Sequence, residues 1–397
     1  MFWTTKKLGE ICEIIAGQAP PSDFYNKEGK GIPFLRVNSF GEIYPKVDSW
    51  TTKPLKLSRS SDVLLSVAGS VGFVNLGINA CITRSIFALR PNKEILQKLL
   101  FYILKSKSKM LSEIGQGSAQ RIITRKQIES FKIPLPPLPE QRKIVYVLDS
   151  IQDAIRAQEK IIEKTKELKK SMMADLFKYG GPSFRKGRKL KKTEIGEIPE
   201  NWGVMGLREI AETKSGGTPN REKNEYYGGK IPWVKSGELK DNIIFDTEEK
   251  ITEAGLRNSA AVIFPKGTFL IAMYGATAGK TALLGIDAST NQAVCAIFPK
   301  NQSFVPEYLR YYFIQARERL LGARYGGAQP NINQNIINSL IISLPSLLEQ
   351  REIADILQTI DQKIEIEQKK KTLYEELFKT MLNKLMTGEI KVDNLKI

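Results

Sequence analysis

Histidine is absent from all 397 residues, which removes the commonest general base near pH 7 and the commonest zinc ligand. His-based triads and HExxH metal sites are therefore excluded, while carboxylate and lysine chemistry stays open in principle. Cysteine is scarce: Cys12, Cys81 and Cys295 are far apart and odd in number. They support neither a disulfide framework nor a CxxC metal site and read as reduced, buried thiols. No apolar run reaches the roughly 18 residues that span a bilayer. The start, Met1-Phe-Trp-Thr-Thr-Lys-Lys, lacks the apolar core of a signal peptide. A cytoplasmic protein with no membrane partner is expected. Paired carboxylates of the kind that hold catalytic magnesium are missing, as is a GxGxxG dinucleotide fingerprint.

One segment imitates a catalytic motif. Gly275-Ala-Thr-Ala-Gly279-Lys280-Thr281 resembles a phosphate-binding loop, but it has three residues between the glycines where the cradle needs four. The following Ala-Leu-Leu-Gly is too short and glycine-broken for the helix such a loop requires. A strand-turn-strand hairpin is expected instead, both here and at Ser66-Val-Ala-Gly-Ser-Val-Gly72.

What is present in excess is positive charge. Lys and Arg number 60 against 43 Asp and Glu, a formal net charge of +17, which favours a polyanionic partner through counterion release. With 42% hydrophobic and 26% charged residues the chain has the composition of a folded protein. Its length fits two domains better than one.

The second positive feature is an internal repeat. Leu8-x-Glu10-Ile11 matches Leu207-x-Glu209-Ile210, Gly17-Gln-Ala-Pro20 matches Gly216-Gly-Thr-Pro219, and Ile32-Pro-Phe-Leu-Arg36 matches Ile231-Pro-Trp-Val-Lys235. Gly117-Ser-Ala-Gln-Arg-Ile122 aligns with Gly327-Ala-Gln-Pro-Asn-Ile332 with a small length difference, and Leu135-Pro-Pro-Leu-Pro-Glu-Gln-Arg142 pairs with Leu344-Pro-Ser-Leu-Leu-Glu-Gln-Arg351. Strands are expected at 62–68 and 267–274, helices near 94–111 and 306–321, and proline-stopped strands at 131–135 and 340–344.

Each copy then ends in a long amphipathic helix. The first carries Ile144, Leu148, Ile151, Ile155, Ile162, Leu168 and Met172 at three- and four-residue spacing. The second carries Ile353, Ile356, Ile360, Ile364, Leu373 and Leu377, and opens on Ser346-Leu-Leu-Glu349, the spacing of a capping box. Periodicity also fits helices that merely cover their own domains. Their length, some 35 to 40 residues or about 50–60 Å, exceeds a small domain and predicts that each finds the other. Because the second domain starts only about 18 residues after the first helix ends, the two helices should run antiparallel. The expected fold is α+β: two similar mixed α/β domains separated by an antiparallel coiled-coil pair, with pseudo-twofold symmetry. The basic run Arg185–Lys192 falls in the linker and reads as a solvated tether rather than a phosphate clamp.

Polar and basic residues recur in the loops between strands. Arg36 and Asn38 face Lys235 and Ser236 in the alignment, and Arg84 faces Asn291 and Gln292. Gln116, Ser118, Gln120 and Arg121 face Gln329, Asn331 and Asn333, while Tyr274 and Lys280 flank the hairpin turn. Arg can bond guanine bidentately and Asn or Gln adenine, while Lys and Ser commonly hold phosphates. The same residue types also simply make turns.

The duplicated order resembles the specificity subunits of type I restriction-modification systems over essentially the whole chain. The Leu-x-Glu-Ile segment, Ile231-Pro-Trp-Val-Lys-Ser-Gly237, the Gly-Gly-Ala-Gln region and the repeated Leu-Pro-x-Leu-x-Glu-Gln-Arg carry the likeness. Unit one departs at Thr83-Arg84, where unit two has the more family-typical Asn291-Gln292, and at Arg121, which stands opposite Pro330. The resemblance implies two target recognition domains at 1–139 and 198–345. It also implies spacer helices at 140–180 and 346–397 and a linker at 181–197. It further implies a non-catalytic chain that reads a bipartite double-stranded DNA site and guides two methylation subunits and restriction subunits. S-adenosylmethionine, ATP and magnesium would belong to those partners, with no cofactor or metal on this chain. The competing readings are a self-sufficient DNA-modifying enzyme, a coiled-coil scaffold that does not touch DNA, and a specificity factor that serves a methyltransferase alone.

Overall fold

The computed structural model describes residues 3–114, 122–322 and 332–392. It divides into two units, Met1–Lys160 with Lys369–Ile397, and Ile161–Gln368. Both long helices contribute to both units. The first, Leu138–Tyr179, has 42 residues and the second, Leu347–Met386, has 40.

In the first unit, Cys12–Ala16, Ile86–Pro91, Val63–Ser66 and Val74–Leu76 form an antiparallel four-stranded sheet. A second sheet of short strands is joined by a parallel pairing of Ile32–Leu35 with Ala80–Ile82. Val63-Leu-Leu-Ser66 is buried throughout, and its period of two sorts it. Val63 and Leu65 enter a core with the helix Gln97–Ser106 and the long helices, whereas Leu64 joins Leu35, Ile82 and Ala88 between the sheets.

The second unit repeats the device. Phe269 and Ile271 pack with the helix Pro306–Gln315, while Leu270 and Ala272 face the other way with Val234 and Phe264. Its sheets have five and four strands, centred on Phe269–Ala272 and Tyr227–Val234. Both glycine-rich segments are turns of antiparallel hairpins, as expected: one joins Val63–Ser66 to Val74–Leu76, the other Phe269–Ala272 to Thr281–Leu284. The three cysteines are buried and unpaired, and burial pushes the Cys12 and Cys295 thiols up to about 12.

The repeated Glu-Gln dipeptide fastens each long helix to its domain. In the first turn of the first helix, the Glu140 carboxylate accepts the Trp3 indole N–H at 3.0 Å. Gln141 accepts the Leu96 N–H at 2.9 Å and donates to the Pro136 carbonyl at 2.9 Å. In the second unit Glu349 accepts the Trp202 indole N–H at 3.1 Å, and Gln350 accepts the Val305 N–H at 2.8 Å and donates to the Pro345 carbonyl at 2.9 Å. Leu96 and Val305 are the N-cap residues of the domain helices. The motif glutamine thereby satisfies an N–H that no helical carbonyl can reach.

Glu349 also corrects the capping-box expectation. Ser346 does accept the Glu349 N–H at 3.3 Å, but the glutamate does not reach back. Its carboxylate is 1% exposed and binds Arg188 through both oxygens, with Arg188 itself 8% exposed. It also accepts the Gly181 N–H at 3.1 Å. The basic linker is therefore not a solvated tether: Arg185 pairs with Asp175, Lys191 donates to the Trp202 carbonyl at 2.6 Å, and Leu190–Thr193 pairs with Gly196–Pro199 as a hairpin.

Within each unit the two helices run in opposite senses. In the first, Ile144 and Leu148 share a core with Leu382, Leu385 and Met386, and further along Glu159 bonds Lys371 at 2.9 Å. In the second, Lys169 pairs with Asp361 at 2.5 Å, and past that point Met173, Leu176 and Phe177 meet Ile353 and Leu357. Ile155 and Ile162 are buried, and Ile151, Met172, Ile356, Ile360 and Ile364 half-buried.

Three expected packing residues lie outside the seam: Leu168 is 53% exposed, Leu373 63% and Leu377 44%. Leu168 continues a seven-residue line from the exposed Ile161, one position off the line of buried Ile155, Gln158 and Ile162 and half-buried Thr165 and Lys169. Leu373 and Leu377 sit likewise beside Tyr374 and the half-buried Phe378. Buried Gln152, Gln158 and Glu367 show that the middle of the seam is polar. An apolar stripe therefore could not trace it.

A second polar knot holds the hairpin of the second unit. Asp241 adopts a left-handed φ of 61°. Its carboxylate accepts Lys280 at 3.1 Å, the Thr281 N–H at 3.1 Å and Arg317, while its carbonyl accepts Arg310 at 2.9 Å. Burial opposes its charge, yet Arg317, Lys280 and the Thr281 N–H together hold the carboxyl below the usual carboxylate range.

Two stability predictions follow from these knots. Glu349→Ala strands a buried guanidinium and two N–H groups and should cost about 3–5 kcal/mol. Glu140→Ala, which strands only the part-buried Trp3 N–H, should cost about 1 kcal/mol; denaturant unfolding of both variants measures the gap. Asp241→Asn keeps a residue type that tolerates positive φ and should lose about 2 kcal/mol at neutral pH. A lowered carboxyl stabilises the fold above the usual carboxylate range and loses that contribution as pH falls through its own value. The deficit of Asp241→Asn should therefore shrink on acidification, and unfolding curves at stepped pH test it.

Candidate nucleic-acid interface

Three loops converge in each unit because the strands that carry them are neighbours. In the first, Gly17 donates to the Ile86 carbonyl at 3.1 Å, Gln18 to Ile82 at 2.8 Å, and Thr83 to Leu35 at 3.3 Å. These bonds bring the Gly17–Pro20 loop, the turn Val37–Ser39 and the Thr83–Ser85 turn together. In the second, Gly217 donates to the Thr290 carbonyl at 2.9 Å, Asn291 to Val234 at 2.9 Å, and the Trp233 indole to Gly217 at 3.0 Å. The glycines are required by the approach: a Cβ on Gly17 would lie 2.1 Å from the Thr83 carbonyl oxygen, and one on Gly216 2.1 Å from that of Thr290.

Arg36, Asn38 and Arg84 are exposed around the first cluster. The 3-10 turn after Arg36 is held by its N–H donating to Ser39 Oγ at 3.1 Å, and the one after Lys235 by Glu238 at 2.9 Å. In the second cluster Ser236 is half-exposed, Gln292 is exposed and accepts the Thr218 hydroxyl, and Asn291 Oδ1 is buried with no hydrogen-bond partner among the described residues. Tyr274 is 41% exposed at the head of the hairpin turn.

Other candidates have local partners. Lys235 is bridged by Glu248 at 2.9 Å and Glu249 at 3.0 Å, and these carboxylates raise its pKa. It is not the free phosphate-binding cation that its loop position suggests. Lys280 is tied to Asp241, and Asn333 caps the helix Gln334–Asn338 by accepting the Ile336 N–H at 2.9 Å. Gln116, Ser118, Gln120, Arg121, Gln329 and Asn331 lie outside the described residues.

The loops also hold ring pairs, and in the second unit an arginine, that sequence reasoning missed. Arg36 sits over Tyr25 and Phe34, with Cζ 4.9 Å and 5.1 Å from the ring centroids. In the second unit the corresponding rings, Tyr227 and Trp233, carry Arg221 at 4.5 Å and 4.9 Å, and Arg221 pairs with Glu249 at 2.6 Å. Arg221 has no counterpart in the aligned motifs. The signal available was the tyrosine that follows each Gly-x-x-Pro loop, whose hydroxyl bonds Pro20 or Pro219 at 2.6 Å in both units.

The site so built contains exposed arginine and amide side chains on paired loop clusters. Among the described residues no group of three or more His, Cys, Asp or Glu is placed to hold a metal ion, and no helix is long and apolar enough to cross a membrane.

Comparison with known proteins agrees with the duplicated plan. The family model for the type I restriction modification DNA specificity domain matches residues 2–167 and again 199–375. The type I restriction enzyme MjaVIII specificity subunit of Methanocaldococcus jannaschii is 29% identical over 99% of this chain and 94% of its own length. The EcoR124I/EcoR124II specificity subunit of Escherichia coli is 28% identical over 72% of this chain and 71% of its own. The crystal structure of a type I S subunit from M. genitalium superposes with a TM-score of 0.59 over 96% of each chain at 18% identity. A chain solved in work on complex assembly of the type I R-M system gives 0.62 over 98% of each at 19% identity, so the fold is shared throughout. With two copies of the family's domain, each ending in a latched long helix and each carrying a cluster of arginine- and amide-bearing loops, the chain belongs to the type I restriction-modification specificity subunits, whose task is the recognition of DNA sequence.

Proposed function

We propose that the two loop clusters read the two halves of a bipartite double-stranded DNA site, one half-site each. The observation that carries this is the repetition of one three-loop geometry with unlike side chains: Arg36, Asn38 and Arg84 in one copy, Ser236, Asn291, Gln292 and Arg221 in the other. Equivalent scaffolds with different hydrogen-bonding groups are what two unlike half-sites require. A net charge of +17 supplies the sequence-independent attraction.

The long helices act as a spacer. At 1.5 Å per residue the first spans about 63 Å, which at 3.4 Å per base pair leaves room for an unread gap between half-sites. Their exposed apolar residues, including Leu168, Leu373 and Leu377, offer a docking surface for two methylation subunits, with restriction subunits joining that assembly. Specificity subunits of this family are generally non-catalytic. In this reading the chain carries no catalytic centre or cofactor, works in the cytoplasm, and leaves S-adenosylmethionine, ATP and magnesium to its partners.

The purified chain should transfer no labelled methyl group from S-adenosylmethionine to DNA until a methylation subunit is added, and the complex should then modify a two-part site. Inserting seven residues into each long helix adds about 10 Å, or roughly three base pairs. Sequencing of methylated DNA should show the gap lengthened and both half-sites unchanged. An unchanged gap would remove the spacer role, and one continuous short site would remove the bipartite reading.

A further inference from the structure

Each unit has an aromatic pair at its loop cluster, built on an equivalent tyrosine and strand aromatic, and in each an arginine from a different place in the chain lies against it. Tyr25 and Phe34 stack at 4.6 Å with 28° between planes; Tyr227 and Trp233 meet edge-on at 6.1 Å and 73°. Phe34 and Trp233 occupy equivalent places in Ile-Pro-Phe and Ile-Pro-Trp, and both are buried. Both tyrosines are tied to the loop by the hydroxyl bonds to Pro20 and Pro219. Each ring pair is thus a fixed platform. On the first lies Arg36, which follows the strand Ile32–Leu35. On the second the residue after the strand is Lys235, drawn to Glu248 and Glu249, and the platform is covered by Arg221 from the preceding loop.

A guanidinium held against aromatic rings by cation–π attraction is restrained in position while it keeps a rigid fork of N–H donors. That fork matches the O6 and N7 acceptors of guanine in the major groove. Arg36 has no carboxylate partner among the described residues. Arg221 remains 51% exposed while Glu249, shared with Lys235, fixes one of its nitrogens. We propose that the guanidinium held against the ring pair is a specificity-determining group of each unit, Arg36 in the first and Arg221 in the second, each reading a guanine of its half-site. Sequence alignment of the copies would assign Lys235 to this task; the platform assigns Arg221. The inference rests on the bipartite reading above.

The test uses the whole chain assembled with its methylation subunit, acting on genomic DNA from a methylation-free host, with modified sites mapped by sequencing. Arg36→Lys and Arg221→Lys keep the charge and lose the planar fork. Arg36→Lys should relax one guanine position in one half-site, Arg221→Lys one in the other, each by roughly tenfold or more in preference, with melting temperatures close to wild type. An unaltered motif in both variants overturns the assignment. So does uniformly weaker methylation with the motif intact, the mark of a phosphate contact. So does a second half-site that changes with Lys235→Met but not with Arg221→Lys. If the wild-type complex itself modifies no two-part site, the bipartite reading fails first, and that result is visible before any variant is made.

Discussion

Everything in either unit hangs on a carboxylate and an amide placed side by side in the first turn of a long helix. A helix start leaves N–H groups without partners and a strand end leaves carbonyls in the same condition. The Glu-Gln dipeptide answers both at one point. Gln141 and Gln350 take the N-cap N–H of the domain helix and give an amide hydrogen to the proline carbonyl that ended the strand. Glu140 and Glu349 take the indole of the tryptophan that leads into the domain. Three chain segments, distant in sequence, are pinned within one helical turn. That joint fixes the start of each long helix to its domain.

The two copies of the joint are chemically unequal. Glu349 is sealed, with Arg188 neutralising it and the Gly181 N–H completing its shell, whereas Glu140 is only half-buried. Removing a charge from water costs several kcal/mol unless the partner geometry is good, so the sealed joint holds firmly but only while the basic linker remains folded against it. Linker, tryptophan and helix are one structural element. The hairpin Leu190–Thr193 with Gly196–Pro199 keeps Arg188 in place.

How much of this was legible in the sequence follows from the range of the interactions involved. The repeat, the α+β alternation, the hairpins at 66–72 and 275–279 and the two helices were legible because hydrophobic period and glycine placement are local signals. The partner of Glu349 was not: Arg188 lies in a run of like charges that reads as solvated, and only the tertiary approach of Trp202 and Gly181 makes it a buried counter-ion. The seam of the helix pair was misplaced at Leu168, Leu373 and Leu377 for a related reason. Its central positions are filled by Gln158, Lys169 and Glu367, and a search for apolar residues steps past them onto the neighbouring line. Lys235 and Lys280 looked like free cations because charge is visible in sequence and its neutralisation by Glu248, Glu249 and Asp241 is not.

The same asymmetry between local and tertiary information separates scaffold from recognition. The glycines at 17 and 216 and the tyrosine hydroxyl bonds repeat between units because they solve the same packing problem: three loops must meet without a Cβ between them. The groups presented on that scaffold do differ, Arg36 in one unit and Arg221 in the other. The guanidinium comes from the residue that follows the strand in one unit and from the preceding loop in the other. Position in the alignment therefore tracks the platform, and which arginine lies against it is set by where the chain brings a guanidinium close to the rings. A duplicated chain can in this way keep one architecture and address two sequences.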